Sequence, residues 1–184
     1  MEEKKKLWGF ETKQVVYAAI GAALYAVLAI ATNVLQLPGA GNVSIRPAVA
    51  IPMFFGIAFG PIVGFITGFV GNILADLLSG YGFWLWWDLG NGLLGVIPGL
   101  IYPTIESFRA SKSIWKAEIF VVLGALVGMG LASLSEMWVS GADLNTVIFA
   151  NFLPAFLSDI INGLILVPLL MIAYAAIVER SGRD

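Results

Sequence analysis

The sequence predicts an all-α integral membrane protein with six transmembrane helices, both termini cytoplasmic, and residues 1–184 in a single membrane domain. Three observations carry that expectation. Mean hydropathy is +0.91, and 59% of residues are hydrophobic against 12% charged, well away from the balance of a soluble domain. A hydrocarbon core about 30 Å thick takes roughly 20 apolar residues per helical span, so this length holds about six spans with their loops. The third observation is where the positive charge falls. Lys4, Lys5, Lys6 and Lys13 precede the first span, Arg109, Lys112 and Lys116 separate the fourth from the fifth, and Arg180 and Arg183 follow the sixth. Only an even span count puts all of these on one face, which the positive-inside rule makes cytoplasmic. Arg46 alone falls outside.

The first span, about residues 14 to 36, begins after MEEKKKLWGFETKQ. That opening lacks the cleavage pattern of a secretory signal, so the apolar run is expected to stay in the membrane. It carries Ala18, Ala22 and Ala26 on one stripe and Ala19 and Ala23 on the next. Small residues four apart let another helix approach closely, and that helix can belong to this chain or to a partner. The second span, about 47 to 60, is short, holds Pro47 and Pro52, and meets the third at Gly60 and Pro61. A tight hairpin, or a tilted or broken second span, is expected. The third span, about 61 to 79, places Gly60, Gly64, Gly68, Asn72 and Asp76 on one face, a glycine groove ending in an amide and a carboxylate.

Span four, about 89 to 107, follows the run YGFWLWWD. Four large rings within residues 83–87 can anchor the helix at the interface or stack on a planar ligand; Trp84 and Trp87 are the candidates for the second role. Asp88 and Asn91 open the span as a second acid and amide pair. Span five, about 117 to 140, repeats the pattern of span three with Gly124, Gly128, Ala132 and Glu136. Glu136 suits either an interfacial position or a ligand contact. Span six, about 147 to 178, carries Asn151, Asp159 and Asn162. Asp159 lies roughly 18 Å into it at 1.5 Å per residue, and an intramembrane acid must be paired or face a cavity. Pro98, Pro103, Pro154 and Pro168 are expected to kink their helices.

The chain has no cysteine and no histidine, so thiolate, imidazole and most transition-metal chemistry is closed to it. A membrane hydrolase of the serine or zinc type lacks its base or its ligands here. No metal or cofactor is expected. A net charge of −2 gives no reason to invoke nucleic acid. A channel needs a ring of charged or carbonyl ligands, and a self-sufficient secondary transporter is usually longer and built from inverted repeats.

FGPIVGFITGFVGNILADL and YGFWLWWDLGNGLLGVIPGLI, within Arg46 to Gly99, together with the alanine stripe of span one, resemble the substrate-binding S components of energy-coupling factor (ECF) vitamin transporters. The likeness extends over essentially all the spans. It implies a multi-pass subunit of the cell membrane that captures a vitamin from outside and docks on a transmembrane coupling protein driven by two ATPases. The resemblance makes Ala18, Ala22 and Ala26 the docking face, loop 37 to 46 the lid, and spans four to six with the preceding loop the pocket. Trp84, Trp87, Asp88, Asn91, Glu136, Asn151, Asp159 and Asn162 are then the expected substrate contacts. Flat rings, amides and acids suit a planar molecule that is neutral or cationic, because an acid-lined site disfavours anions. Riboflavin fits best, thiamin or a pyrimidine precursor nearly as well. A small channel or scaffold protein is the competing class.

Overall fold

The computed structural model describes residues 6–33, 45–180 and 182. The expected lid falls outside these except for Ile45 and Arg46. In chain order the helices are α1 (Thr12–Thr32), α2 (Ala50–Phe59), α3 (Pro61–Leu78), α4 (Leu85–Gly99), α5 (Ser111–Val139) and α6 (Leu153–Arg180). Short 3₁₀ turns cover Pro47–Val49 and Tyr102–Thr104, and a π-helical segment, Thr146–Phe152, runs directly into α6. No strand occurs among the described residues. Four of these helices, α1, α3, α5 and α6 with its π segment, are long and apolar enough to cross a membrane. The other two, α2 and α4, have 10 and 15 residues, about 15 and 22 Å of helix.

The bounds of two sequence-based spans shift. Span four begins at Leu85 rather than 89 and its helix stops at Gly99 rather than 107, because the next turn is 3₁₀ around Pro103, which has no N–H to continue an α-helix. Span five starts at Ser111 rather than 117, so Lys112 and Lys116 ride on an extension of the helix. Before α6 the chain takes the wider π register just N-terminal to Pro154, whose ring would crowd the carbonyl of Ala150 in a regular α-helix. The expected hairpin between α2 and α3 is present. Gly60 turns it at φ 107, a conformation that costs glycine little.

Glycine sets the packing around α4. A Cβ on Gly56 of α2 would lie 2.1 Å from the Gly95 carbonyl oxygen, and one on Gly95 would lie 2.1 Å from that of Gly64. On Gly68 it would be 2.0 Å from the Asn91 carbonyl oxygen, and on Gly90 2.6 Å from that of Gly128. Backbone therefore touches backbone where α4 meets α2, α3 and α5, a mode of association that suits a lipid environment. The small-residue stripes of α3 and α5 both turn toward α4.

The alanine stripe of α1 also faces inward, and this corrects its assignment as a docking face. Ala18, Ala22 and Ala26 are 2%, 3% and 4% exposed. Alongside them a Cβ on Gly21 would strike Thr67 Oγ1 at 2.4 Å, and one on Gly71 would meet Tyr25 at 2.9 Å. Close approach is what the small residues provide, and α3 of the same chain takes it. The neighbouring stripe, Ala19 and Ala23 with Val16, Ile20, Leu24 and Val27, is exposed.

The start of α1, the turn at Gly60, the α4–α5 connection and the end of α6 meet at one end of the bundle. Tyr17 stacks on Phe59 at 4.2 Å, Phe108 meets Tyr174 at 5.1 Å, and Arg109 pairs with Glu179 at 3.2 Å. At the opposite end Asn33 donates to Ser79 at 3.0 Å and Trp86 packs edge-on to Trp138 at 5.5 Å. Arg46 enters from this second end.

Candidate functional site

At the Asn33 end of the bundle the glycine seams finish and polar side chains begin. One turn beyond Gly68, α3 brings Asn72 and then Asp76; the first turns of α4 bring Asp88 and Asn91 opposite them. From α1 comes Tyr25, and from the residue before the Pro47 turn comes Arg46. Tyr25, Asp88 and Asn91 are 0% exposed and Asn72 is 4% exposed, so the hydrogen bonds they make are made inside the protein.

Asn72 and Asn91 organise the cluster. The two amide hydrogens of Asn72 go to Asp76 Oδ2 and Asp88 Oδ1, each at 2.8 Å. Its Oδ1 lies 2.9 Å from the Tyr25 hydroxyl and 3.0 Å from Arg46 Nη2. Asn91 donates to the Trp87 carbonyl at 2.8 Å and presents Oδ1 to the Tyr25 hydroxyl at 2.8 Å and to Arg46 Nη2 at 2.7 Å. Arg46 Nη2 also donates to the Tyr25 oxygen, which leaves the phenolic hydrogen for one of the two amides. Four segments of chain are thus held by one guanidinium and two amides.

Three acids, Asp76, Asp88 and Asp159, lie within electrostatic reach of the single guanidinium of Arg46. Asp159 is 1% exposed, and neither of its oxygens has a hydrogen-bond partner among the described residues. Asp88 Oδ2 is likewise buried and unpartnered. The Arg46 backbone N–H reaches Ser158 Oγ at 3.3 Å, which ties the approach to α2 onto α6 beside Asp159.

A second feature lies farther out. Trp87 Nε1 donates to Glu136 Oε1 at 2.8 Å, and the Ser140 hydroxyl donates to Glu136 Oε2 at 2.8 Å. Trp87 and Glu136, with Phe83, Trp84, Trp86 and Ser135, border an open cleft of about 300 Å³. Trp84 is 45% exposed and turns its indole N–H onto the Tyr81 carbonyl at 2.8 Å. That posture matches an interfacial anchor, whereas Trp87 links the cleft to the cluster through its ring on one side and its carbonyl on the other.

The expected contacts therefore divide. Asp88 and Asn91 belong to the buried cluster, Asp159 lies beside it, and Trp84, Trp87 and Glu136 border the outer cleft. Asn162 is not brought in, since its amide donates to the Ser158 carbonyl of its own helix at 2.8 Å. Asn151 sits half-buried in the π segment and makes no hydrogen bond to the cluster among the described residues. Four members, Tyr25, Arg46, Asn72 and Asp76, were absent from the expected substrate contacts. Asn72 and Asp76 were legible as the polar end of a glycine stripe, and Arg46 as the sole basic residue on its side. Tyr25, one aromatic in an apolar span, carried no signal. Among the described residues no group of three His, Cys, Asp or Glu side chains is placed to hold a metal ion.

The family model described as "ECF-type riboflavin transporter, S component" matches residues 9–176. The chain is 37% identical over 148 residues to a UPF0397 protein of Vibrio atlanticus (strain LGP32), covering 77% of this chain and 75% of that relative. It is 32% identical over 178 residues to a UPF0397 protein of Streptococcus pneumoniae (strain Hungary19A-6), covering 94% and 95%. No solved structure matches it.

Proposed function

Because the chain belongs to the family of S components of ECF-type riboflavin transporters, a family of membrane subunits for vitamin uptake, we propose that it captures riboflavin at the end of the bundle that holds Arg46. It then hands the vitamin inward through a coupling membrane protein powered by two ATPases. The observation that carries this reading is the polar cluster itself. Tyr25, Arg46, Asn72, Asp88 and Asn91 sit in an apolar bundle at the end away from the described lysines. Polar groups placed so deep are costly unless they serve a site.

In this reading six helices cross the membrane, the short α2 and α4 included, and both termini are cytoplasmic. The basic residues around Arg109 and Arg180 mark the inner face. The outer aromatic cleft with Trp87 and Glu136 supplies the surface on which a flat ring first settles. The face that meets the coupling protein moves from Ala18, Ala22 and Ala26 to the exposed stripe of Ala19 and Ala23. Three carboxylates around one guanidinium also favour a cationic ligand, which keeps thiamin as the second reading.

The test is titration of the detergent-purified chain with riboflavin and with thiamin, together with an absorbance spectrum of the preparation. A yellow preparation with about one flavin per chain supports the proposal. Saturable binding of thiamin alone moves the substrate to the second reading, and binding of neither removes vitamin capture.

A further inference from the structure

The hydrogen bonds of Arg46 leave a pattern of their own. All three described side-chain bonds depart from Nη2, while Nη1 and Nε carry three more N–H groups in the same rigid plane. Arg46 is half-buried. Asp159 faces it electrostatically, yet the two form no ion pair within 4 Å; among the described residues the ion pair is Arg109 with Glu179. Both Asp159 oxygens are buried without a partner. The guanidinium cannot simply swing across, because Tyr25, Asn72 and Asn91 hold its Nη2 and Ser158 holds its backbone N–H.

The result is a fixed donor beside a fixed acceptor, each with unused capacity. We propose that Arg46 and Asp159 read one edge of the ligand, on which a carbonyl oxygen and a ring N–H are neighbours, as in a cyclic imide or lactam. The carbonyl accepts from Arg46 Nη1 or Nε, and the N–H donates to Asp159. An anionic edge has no donor for Asp159, and an edge of donors alone leaves the remaining N–H groups of Arg46 unmatched. A neutral edge with one acceptor and one donor satisfies both, and it ends the exposure of a buried carboxylate to an apolar surround. This assignment rests on the reading of the chain as a vitamin-binding subunit and places the flavin imide in the Arg46 cluster, with the ring system extending toward Trp87.

The experiment pairs a chemical change with a protein change. Riboflavin and 3-methylriboflavin, which lacks the imide N–H, are titrated against the full chain and against Asp159→Ala. A hydrogen bond to a charged group predicts that the parent prefers riboflavin by roughly 10-fold to 100-fold. In Asp159→Ala that preference should fall to about 1-fold to 2-fold, because the methyl group no longer removes a bond. Arg46→Lys, which keeps the charge and loses the planar fork, should weaken both ligands alike. Equal binding of the two flavins by the parent overturns the assignment of the edge while leaving riboflavin capture standing. So does a preference that survives in Asp159→Ala. If the parent binds neither flavin, the substrate reading falls and the imide assignment falls with it. Should Asp159→Ala not fold, the near-isosteric Asp159→Leu, which likewise offers no acceptor, serves in its place, and the comparison of the two flavins on the parent stands by itself.

Discussion

Replacing Asn72 by alanine tests whether the cluster holds the bundle together. Asn72 gives both amide hydrogens to carboxylates, Asp76 Oδ2 and Asp88 Oδ1, and Asp88 is 0% exposed with its other oxygen already unpartnered. Hydrogen bonds to charged groups contribute about 1.5–3 kcal/mol each. Losing two at the low end costs about 3 kcal/mol, before the bonds from Tyr25 and Arg46 to Asn72 Oδ1 are counted. At about 2–4 °C per kcal/mol for a chain of this size, Asn72→Ala should melt roughly 6–12 °C below the parent in detergent. The double variant Asn72→Ala with Asp88→Ala should recover part of that loss, because the stranded carboxylate leaves with its donor. The expected coupling is about 1–3 kcal/mol, read from a double-mutant cycle. The assay is thermal unfolding of all four proteins followed by tryptophan fluorescence. Strictly additive effects, or a single variant that melts with the parent, would refute the argument that Asp88 depends on Asn72.

Gly68→Ala would place a methyl 2.0 Å from the Asn91 carbonyl oxygen, so α3 and α4 must separate; a cost of about 1–3 kcal/mol and a several-fold loss of riboflavin affinity are expected in melting and titration. Ala22→Leu, on the buried stripe, should lower the melting temperature, whereas Ala23→Leu, on the exposed stripe, should leave folding and binding intact and impair assembly with the coupling protein. Pull-down of the reconstituted complex separates the two. Trp87→Phe keeps a ring and removes the donor to Glu136; a net loss of about 1.5–3 kcal/mol in stability is expected, with binding retained if the ring stacks on the ligand. With both termini inside, Asn145→Cys should react with an impermeant thiol reagent on intact cells and Lys13→Cys should not; the reverse pattern would invert the proposed topology.

Legibility in the sequence followed the range of the interaction. Periodicity of small residues along α3 and α5 is a local property, and it correctly marked two faces that pack closely, each ending in a polar group at Asn72 and Glu136. The turn at Gly60 was legible for the same reason, since Gly60 and Pro61 constrain their own backbone. The end of α4 was missed because the apolar run from Gly99 to Tyr102 reads as a continuing span, and Pro103 as a kink in it rather than as the stop.

By itself the sequence determined an all-helical membrane chain, the location of the hairpin, the gathering of basic residues on one set of connections, and the exclusion of histidine and cysteine chemistry. Composition and spacing suffice for these because the bilayer rewards apolar length and penalises unpaired backbone wherever the helices sit. Tertiary structure alone decided which face of α1 turns inward. Ala18 and Ala19 carry the same side chain on adjacent stripes, and only the position of α3 tells them apart. It also decided that Tyr25, Arg46, Asn72 and Asn91, up to 66 residues apart, meet at one point and leave Asp159 beside Arg46 with two free oxygens. Hydrogen-bond partners across such separations are set by how the glycine seams let the helices close, and no local pattern in the chain records that geometry.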